Sequence, residues 1–146
     1  MKKSIVAVVL LVSLSITSVF ANNEKVSPKV LASFNSEFSY AKEVVWERGY
    51  NYYRAEFSMN EQRIFAYYNL EGDLISVARY ISVLQLPVNL FADLKNDYGK
   101  YWISDLFEVS NNDGVKYYVT LENADTKLVM HSGGSAWSSY SKNKKA

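Results

Sequence analysis

The chain has 146 residues, a length that suits one small domain with its own hydrophobic core. Its formal net charge is only +1, which argues against a nucleic-acid-binding protein, because such proteins present a basic face. There is no cysteine, so a disulfide framework is excluded and the fold must be held by its core. The chain has 12 Tyr, 7 Phe and 3 Trp, and aromatic residues favour the pleated, half-buried surface of a sheet.

The N-terminal segment is predicted to be a cleavable signal peptide spanning residues 1–21. Lys2 and Lys3 precede the apolar run Ile5–Phe20, and Val19 and Ala21 supply the small residues of a cleavage site. An uncleaved membrane anchor is the alternative, but this run is short for a membrane span. No cysteine follows the cut, which excludes lipid attachment. We therefore expect a mature chain that is periplasmic or secreted and is not inserted in a membrane.

Two prolines, Pro28 and Pro87, each open a short amphipathic helix, because proline fits the first turn of a helix. The first helix is predicted over residues 28–39, with Ser27 as its cap. The second helix is predicted over residues 87–97, and Gly99 suits its C-terminal end. Strand-like segments follow each helix: 43–47, 50–58, 62–69 and 73–81, then 102–110, 115–122, 127–131 and 136–140. Residues 111–114 form a strong hairpin signal.

The order of elements repeats at a spacing near 60 residues, which predicts an α+β fold built from tandem helix-plus-antiparallel-strands repeats. The two strand sets would form one curved sheet with both helices on one face. The first repeat is expected at about 26–82 and the second at about 86–134, within a domain of 22–134. Residues 135–146 are expected to be a flexible polar tail. One α+β domain with accidental symmetry is the alternative.

Pairs of segments in the two halves support this repeat. Trp46-Glu47 corresponds to Phe107-Glu108, and Tyr53–Phe57 corresponds to Tyr117–Leu121. In the latter pair, alternation predicts that Tyr53, Ala55 and Phe57 face one way while Tyr52, Arg54 and Glu56 face the other.

These motifs resemble the PepSY-like, β-lactamase-inhibitor-like (BLIP-like) family of small secreted bacterial proteins. The resemblance rests on a Trp-bearing strand at Val44–Trp46, the strand Tyr52–Phe57, the segment Ala66–Asn69, the turn Glu71–Ile75 and the Leu86-Pro87 pair. It covers about residues 26–134 and is stronger in the first half, since the second half lacks the Trp strand. It implies an exported helix-plus-sheet repeat without enzymatic activity.

Residues that could carry catalysis or hold a metal are sparse. His131 is the one histidine, so a metal site would have to combine it with carboxylates, which is a poor ligand set. A hydrolase dependent on His131, with the segment Ser132–Ser135 close by in sequence, is a third hypothesis. Asn69–Asp73 is too short for a calcium loop, and no glycine-rich phosphate loop occurs. We therefore predict no enzyme activity, no cofactor and no metal site.

The face of the sheet turned away from the helices is the predicted binding site. If Ile64, Ala66 and Tyr68 point to the helices, the opposite face is expected to be open to solvent and to carry Tyr, Arg and Phe, residue types suited to interfaces. The partner-binding residues predicted there are Tyr52, Arg54, Glu56, Phe65, Tyr67, Tyr118 and His131. The alternative is that these tyrosines are purely structural, because a tyrosine can cover the sheet with its ring while its hydroxyl stays in contact with water.

Two functions remain compatible with the sequence. The first is a non-enzymatic binding module, in one form a protein inhibitor, that docks a protein or peptide on the aromatic face. The alternative is a carrier of a small ligand or an envelope sensor, which native mass spectrometry would reveal through a co-purifying ligand. The partner is an unidentified protein or peptide, no nucleic acid is expected, and the predicted oligomeric state is a monomer.

Overall fold

The computed structural model describes residues 26–146, so the predicted signal peptide lies outside the described residues. Within these described residues, two α-helices and eight strands follow one another, with a short 3-10 turn at Val83–Gln85. The helices are α1 (Pro28–Glu37) and α2 (Val88–Asp97). The strands are β1 (Lys42–Arg48), β2 (Tyr52–Met59), β3 (Gln62–Asn69), β4 (Leu74–Tyr80), β5 (Trp102–Asn111), β6 (Gly114–Glu122), β7 (Thr126–Ser132) and β8 (Ser138–Lys144).

The strands form an eight-stranded sheet in the order β1 to β8, and the pairs β1–β2, β2–β3, β5–β6, β6–β7 and β7–β8 are antiparallel. The predicted α+β class is therefore confirmed, with a helix before each set of four strands. The chain divides into two compact units, one ending at Val77 and the other starting at Ala78. Each unit has its own helix and its own buried cluster.

Helix α1 begins where the sequence predicts. Ser27 accepts a hydrogen bond from the Val30 backbone N–H at 3.4 Å, and Pro28 occupies the first turn, where its missing N–H is harmless. The helix ends two residues before the predicted Ser39, since Phe38 leaves helical geometry at φ −125°. Val30 and Phe34 form its buried stripe.

The core of the first unit lies between α1 and one face of β2 and β3. Strand β2 alternates between buried and partly exposed residues, as predicted. Its inward residues and those of β3 pack around the two buried helix residues, and the cluster consists of Val30, Phe34, Tyr53, Ala55, Phe57, Ile64, Ala66 and Tyr68. Burial of these large side chains is the main source of stability in this unit.

Tight turns set the register of the first unit. Asn60 and Glu61 join β2 to β3 with φ of 51° and 62°, the positive values that a two-residue hairpin needs. Asn69 organises the next turn, because its side-chain oxygen accepts from the Asp73 backbone N–H at 2.8 Å. Gly72 is required in that turn, since its φ is +96° and a Cβ there would lie 3.2 Å from the Lys29 backbone.

The core of the second unit lies between α2 and one face of β5, β6 and β7. Pro87 caps α2 rather than starting it, one residue later than predicted. Leu90 and Leu94 are the buried residues of the helix. They pack in a cluster that also contains Ile81, Leu86, Leu106, Val119, Leu121, Leu128 and Met130.

The C-terminal segment corrects one expectation. Residues 135–146 were predicted to be flexible, but Ser138–Lys144 forms strand β8, which pairs antiparallel with β7. Trp137 donates a hydrogen bond from its indole nitrogen to the Leu90 carbonyl at 3.0 Å. Lys145 donates to Glu122 at 2.7 Å and lowers the pKa of that carboxyl. Backbone pairing with β7, together with these contacts, gives the polar segment its order.

Among residues 26–146, no helix has the length and apolar character required to cross a membrane.

Candidate partner-binding faces

The face of the first unit opposite α1 carries a cross-strand ladder of charged and aromatic residues. Arg54 on β2 pairs in register with Glu47 on β1 and with Tyr67 on β3. One step along the strands, Glu56 stands opposite Val45 and Phe65. These residues alternate with those that pack on α1, so the predicted strand parity is confirmed.

Arg54 is the electrostatic centre of this face. Its guanidinium forms an ion pair with Glu47 and approaches Glu56 to 4.0 Å, while Arg63 pairs with Glu56 on the other side. The guanidinium carbon also lies 5.6 Å from the centre of the Phe65 ring. The Arg54 side chain is only 14 % exposed, so this ladder is partly withdrawn from solvent and screened less than an exposed pair.

Tyr67 lies at the middle of the same face. Burial raises the pKa of Tyr67 to about 12, and the nearby Arg54 guanidinium opposes that rise. The Tyr67 hydroxyl nevertheless forms no hydrogen bond with Arg54 or with any other described residue. The Tyr52 ring lies 6.0 Å from the Tyr67 ring, and burial also raises the pKa of Tyr52.

Replacing Tyr67 with phenylalanine should leave the free energy of unfolding unchanged or slightly raise it, because the lost hydroxyl has no hydrogen-bond partner within residues 26–146. Tyr68 is the matched control on the opposite face, since its hydroxyl donates to Glu37 at 3.3 Å. Tyr68→Phe should therefore cost about 1 kcal/mol. Urea unfolding of both variants measures the difference, and an equal loss for the two would contradict the assignment.

The second unit carries an aromatic row on the face opposite α2. Phe107, Tyr118 and His131 stand side by side in register on β5, β6 and β7. Tyr80 extends the row, with its ring centre 4.1 Å from that of Phe107. Tyr140 meets Tyr118 and His131 edge-on, at 6.3 and 5.9 Å. Geometries of this kind are favourable for aromatic pairs beyond the area that they bury.

The prediction that the face opposite the helices is open to solvent is wrong for three of the predicted binding residues. Phe65 is 4 %, Tyr67 1 % and Tyr118 5 % exposed, although all three point away from the helices. Long side chains of the same face lie against these rings: the Arg54 guanidinium over Phe65, Tyr52 beside Tyr67 and Tyr140 against Tyr118. Tyr52, Arg54, Glu56 and His131 keep partial exposure. A docked partner would therefore first contact the rim of each face, and it would reach the central rings only by displacing the side chains that cover them.

Sequence reasoning missed several members of these faces. Val45 and Glu47 are exposed on β1, and their place follows from the register with β2. Tyr80, Phe107 and Tyr140 were also missed. Phe107 was missed because the sequence analysis matched it with Trp46, which packs on the helix side of its strand. In the structure Leu106 takes the core position and Phe107 lies on the opposite face.

Burial raises the pKa of Tyr67 and of Tyr118 to about 12, from the usual 10.0. Between these two pKa values the folded state keeps both phenols protonated, whereas the unfolded chain ionises them. The contribution of the two phenols to the free energy of unfolding is therefore complete below pH 10, and it is lost as the pH rises through 12. Ultraviolet titration of tyrosinate should show a late step that shrinks in Tyr118→Phe. A step at the ordinary pKa for both residues would contradict this.

Among residues 26–146, no group of three or more His, Asp or Glu side chains could hold a metal ion. His131 is near two aromatic rings, stacked on Tyr118 at a centroid distance of 6.1 Å and edge-on to Tyr140 at 5.9 Å. The hydrolase role of His131 stays a hypothesis, and the absence of enzyme activity stays a prediction.

Comparison with solved structures identifies the fold. The chain is similar to a protein of Bacteroides eggerthii provisionally described as periplasmic, with a TM-score of 0.71, 12 % identity and coverage of 82 % of this chain and 89 % of that one. A BLIP-like protein from Bacteroides fragilis matches with a TM-score of 0.68 and 16 % identity, over 82 % and 86 % of the two chains. A DUF2874 family protein from Bacteroides ovatus matches with a TM-score of 0.71 and 17 % identity, over 83 % and 89 %.

These likenesses establish a BLIP-like α+β fold. The PepSY-like part of the sequence resemblance stays a prediction. No family model matches the chain, and no curated protein matches it in sequence.

Proposed function

We propose that the chain is an exported, non-enzymatic binding module that docks a protein or peptide on the strand faces opposite α1 and α2. The observation that carries this proposal is the composition of those faces. The first face carries Arg54 and Glu47 beside the partly exposed Tyr52, and the second carries His131 in the row that contains the exposed Tyr80. Tyrosine and arginine are enriched at the energetic centres of interfaces.

The similar structures support this proposal at the level of fold. One of them is named for likeness to a β-lactamase inhibitor protein, and a similar arrangement of helices and strands is present here. Inhibition of an enzyme is one form that docking on such a face would take.

Export is the second part of the proposal. It rests on the predicted signal peptide, and the provisional periplasmic description of the Bacteroides eggerthii protein supports it. Mass spectrometry of the protein recovered from the periplasm or medium should give a chain that starts at Asn22. A chain that keeps its first 21 residues and stays with the membrane fraction would contradict export.

The docking test compares two single tyrosine substitutions. Tyr52 lies on the rim of the ladder, while Tyr50 is 99 % exposed in the preceding loop and makes a matched control. The immobilised mature protein should retain a partner from native envelope extract, and Tyr52→Ala should abolish that retention while Tyr50→Ala leaves it intact. Equal retention by both variants, with unchanged thermal stability, would overturn the proposal.

A further inference from the structure

Three buried side-chain polar atoms lack a hydrogen-bond partner among residues 26–146. They are Arg54 Nε on β2, Tyr67 Oη on β3 and Ser76 Oγ on β4. All three belong to the first unit, and they sit on three neighbouring strands. Nearly all buried polar groups in folded proteins are paired, because an unmet one costs about 1–3 kcal/mol. Unmet donors on neighbouring strands call for a hydrogen-bonding group that the described residues do not supply.

Two of these atoms belong to directly paired residues. Arg54 and Tyr67 are register partners on β2 and β3, and the Arg54 guanidinium lies close enough to lower the pKa of the Tyr67 phenol against the effect of burial. The Tyr67 residue is 1 % exposed. The adjacent Tyr52 ring is partly exposed, so an incoming group would reach the pair by displacing that ring.

The chemistry of the missing group follows from what is already satisfied. Glu47 and Glu56 face the Arg54 charge, and Arg63 compensates Glu56, so two positive and two negative side chains balance. An additional anion would leave this cluster with excess negative charge. What remains is an unused Nε–H donor and an unused phenolic O–H donor. Because the charges around these two donors already balance, the donors are suited to a neutral oxygen acceptor with two lone pairs.

We propose that Arg54 Nε and Tyr67 Oη form a donor site that receives an amide carbonyl oxygen of the docked protein or peptide. This inference rests on the proposed docking function and specifies which chemical group of the partner the first unit recognises. A carbonyl oxygen accepts two hydrogen bonds, as a backbone or side-chain amide of the partner would. The site would give specificity because a partner that lacks the carbonyl leaves both donors buried and unmet.

The probe for this site is N-methylacetamide, titrated into the mature protein while arginine Nε–H resonances are followed by NMR. Arg54 should show a saturable shift. Arg79 is the control within the same chain, because its Nε–H already donates to Glu108 at 2.8 Å, and it should not respond. No saturable shift at Arg54, or an equal shift at Arg79, would overturn the proposal.

Two further arms test the acceptor and the phenol. Acetate should perturb Arg54 less than N-methylacetamide does, and a stronger response to acetate would overturn the neutral-acceptor assignment. Tyr67→Phe should weaken N-methylacetamide binding about fivefold through loss of one hydrogen bond, and unchanged binding would remove Tyr67 from the site. Tyr68→Phe, on the opposite face, should bind like the unmodified protein.

The docking proposal and this inference fail in different ways. If Tyr52→Ala abolishes partner retention while Tyr67→Phe binds the same partner with unchanged affinity, docking stands and the carbonyl site is wrong. If Tyr52→Ala retains the partner, the docking face is wrong whatever the N-methylacetamide titration gives.

Discussion

Replacing Phe34 with alanine should lower the free energy of unfolding by about 3–5 kcal/mol, the usual loss for a buried phenylalanine. Phe34 is the central ring of the first unit. Its centroid lies 5.1 Å from both Trp46 and Phe57, which it meets edge-on, and 5.5 Å from Phe38. Alanine would leave a cavity between α1 and the strands that the surrounding rings cannot close, and it would also remove the favourable ring pairs.

Leu31 is the matched control on the same helix, because it is one of the exposed large hydrophobic residues. Leu31→Ala should change stability by less than about 1 kcal/mol. Chemical unfolding of both variants, followed by tryptophan fluorescence, measures the two values, and Trp46 beside Phe34 should report the change directly. A Phe34→Ala variant as stable as Leu31→Ala would contradict the described core.

Ending the chain after Trp137 should destabilise the second unit and make the protein self-associate. The truncation removes β8 and its six register pairs with β7, which at typical cross-strand values amounts to a loss of about 3 kcal/mol. It also removes Tyr140 from the aromatic row and Lys145 from Glu122. Strand β7 would become an edge carrying the apolar run Leu128–Met130, which invites pairing with another chain.

The control for this truncation is a chain that lacks only Ala146, an exposed residue beyond β8. Sedimentation velocity should show association of the truncated protein and a single species for the control, and thermal unfolding should show the loss of stability. A truncated chain that stays monomeric with an unchanged melting temperature would mean that the C-terminal segment is the flexible tail that its composition suggests.

Most of the secondary structure could be predicted because its signals are local. Ser27-Pro28 starts a helix by capping chemistry, and alternation along Tyr52–Phe57 assigns each side chain to a face. The turn at residues 111–114 follows from Asn and Gly, and the structure places Gly114 at φ +120°.

Features that depend on distant pairing could not be predicted. The strand-like segment 136–140 covers only the start of β8, because the rest of this strand has few apolar residues and resembles a solvated tail; its order comes from pairing with β7. Matching the segments of the two halves equated Phe107 with Trp46, although Trp46 faces the helix and Phe107 lies on the face turned away from the helix. The sequence alone did not reveal that offset.

The sequence predicts which face the side chains of the candidate site point to, but it does not predict which of them are buried under their neighbours. Parity correctly directed Phe65 and Tyr67 away from α1. Whether a ring that points outward is exposed depends on how its long neighbours fold over it, and here the Arg54 guanidinium lies over Phe65. The unpaired Arg54 Nε and Tyr67 Oη depend on rotamers and angles, which no sequence pattern encodes.

Chemical nitration of tyrosines in the complex with the retained envelope partner tests the docking claim most directly. Tyr52 and Tyr80 lie on the proposed faces with part of each ring accessible, whereas Tyr40 and Tyr50 are exposed elsewhere on the chain. The partner should protect the tyrosine of the face that it covers, Tyr52 in the first unit or Tyr80 in the second, and leave Tyr40 and Tyr50 as reactive as in the free protein. Protection of Tyr40 and Tyr50 with Tyr52 and Tyr80 still reactive would place the partner on a different surface and contradict the account.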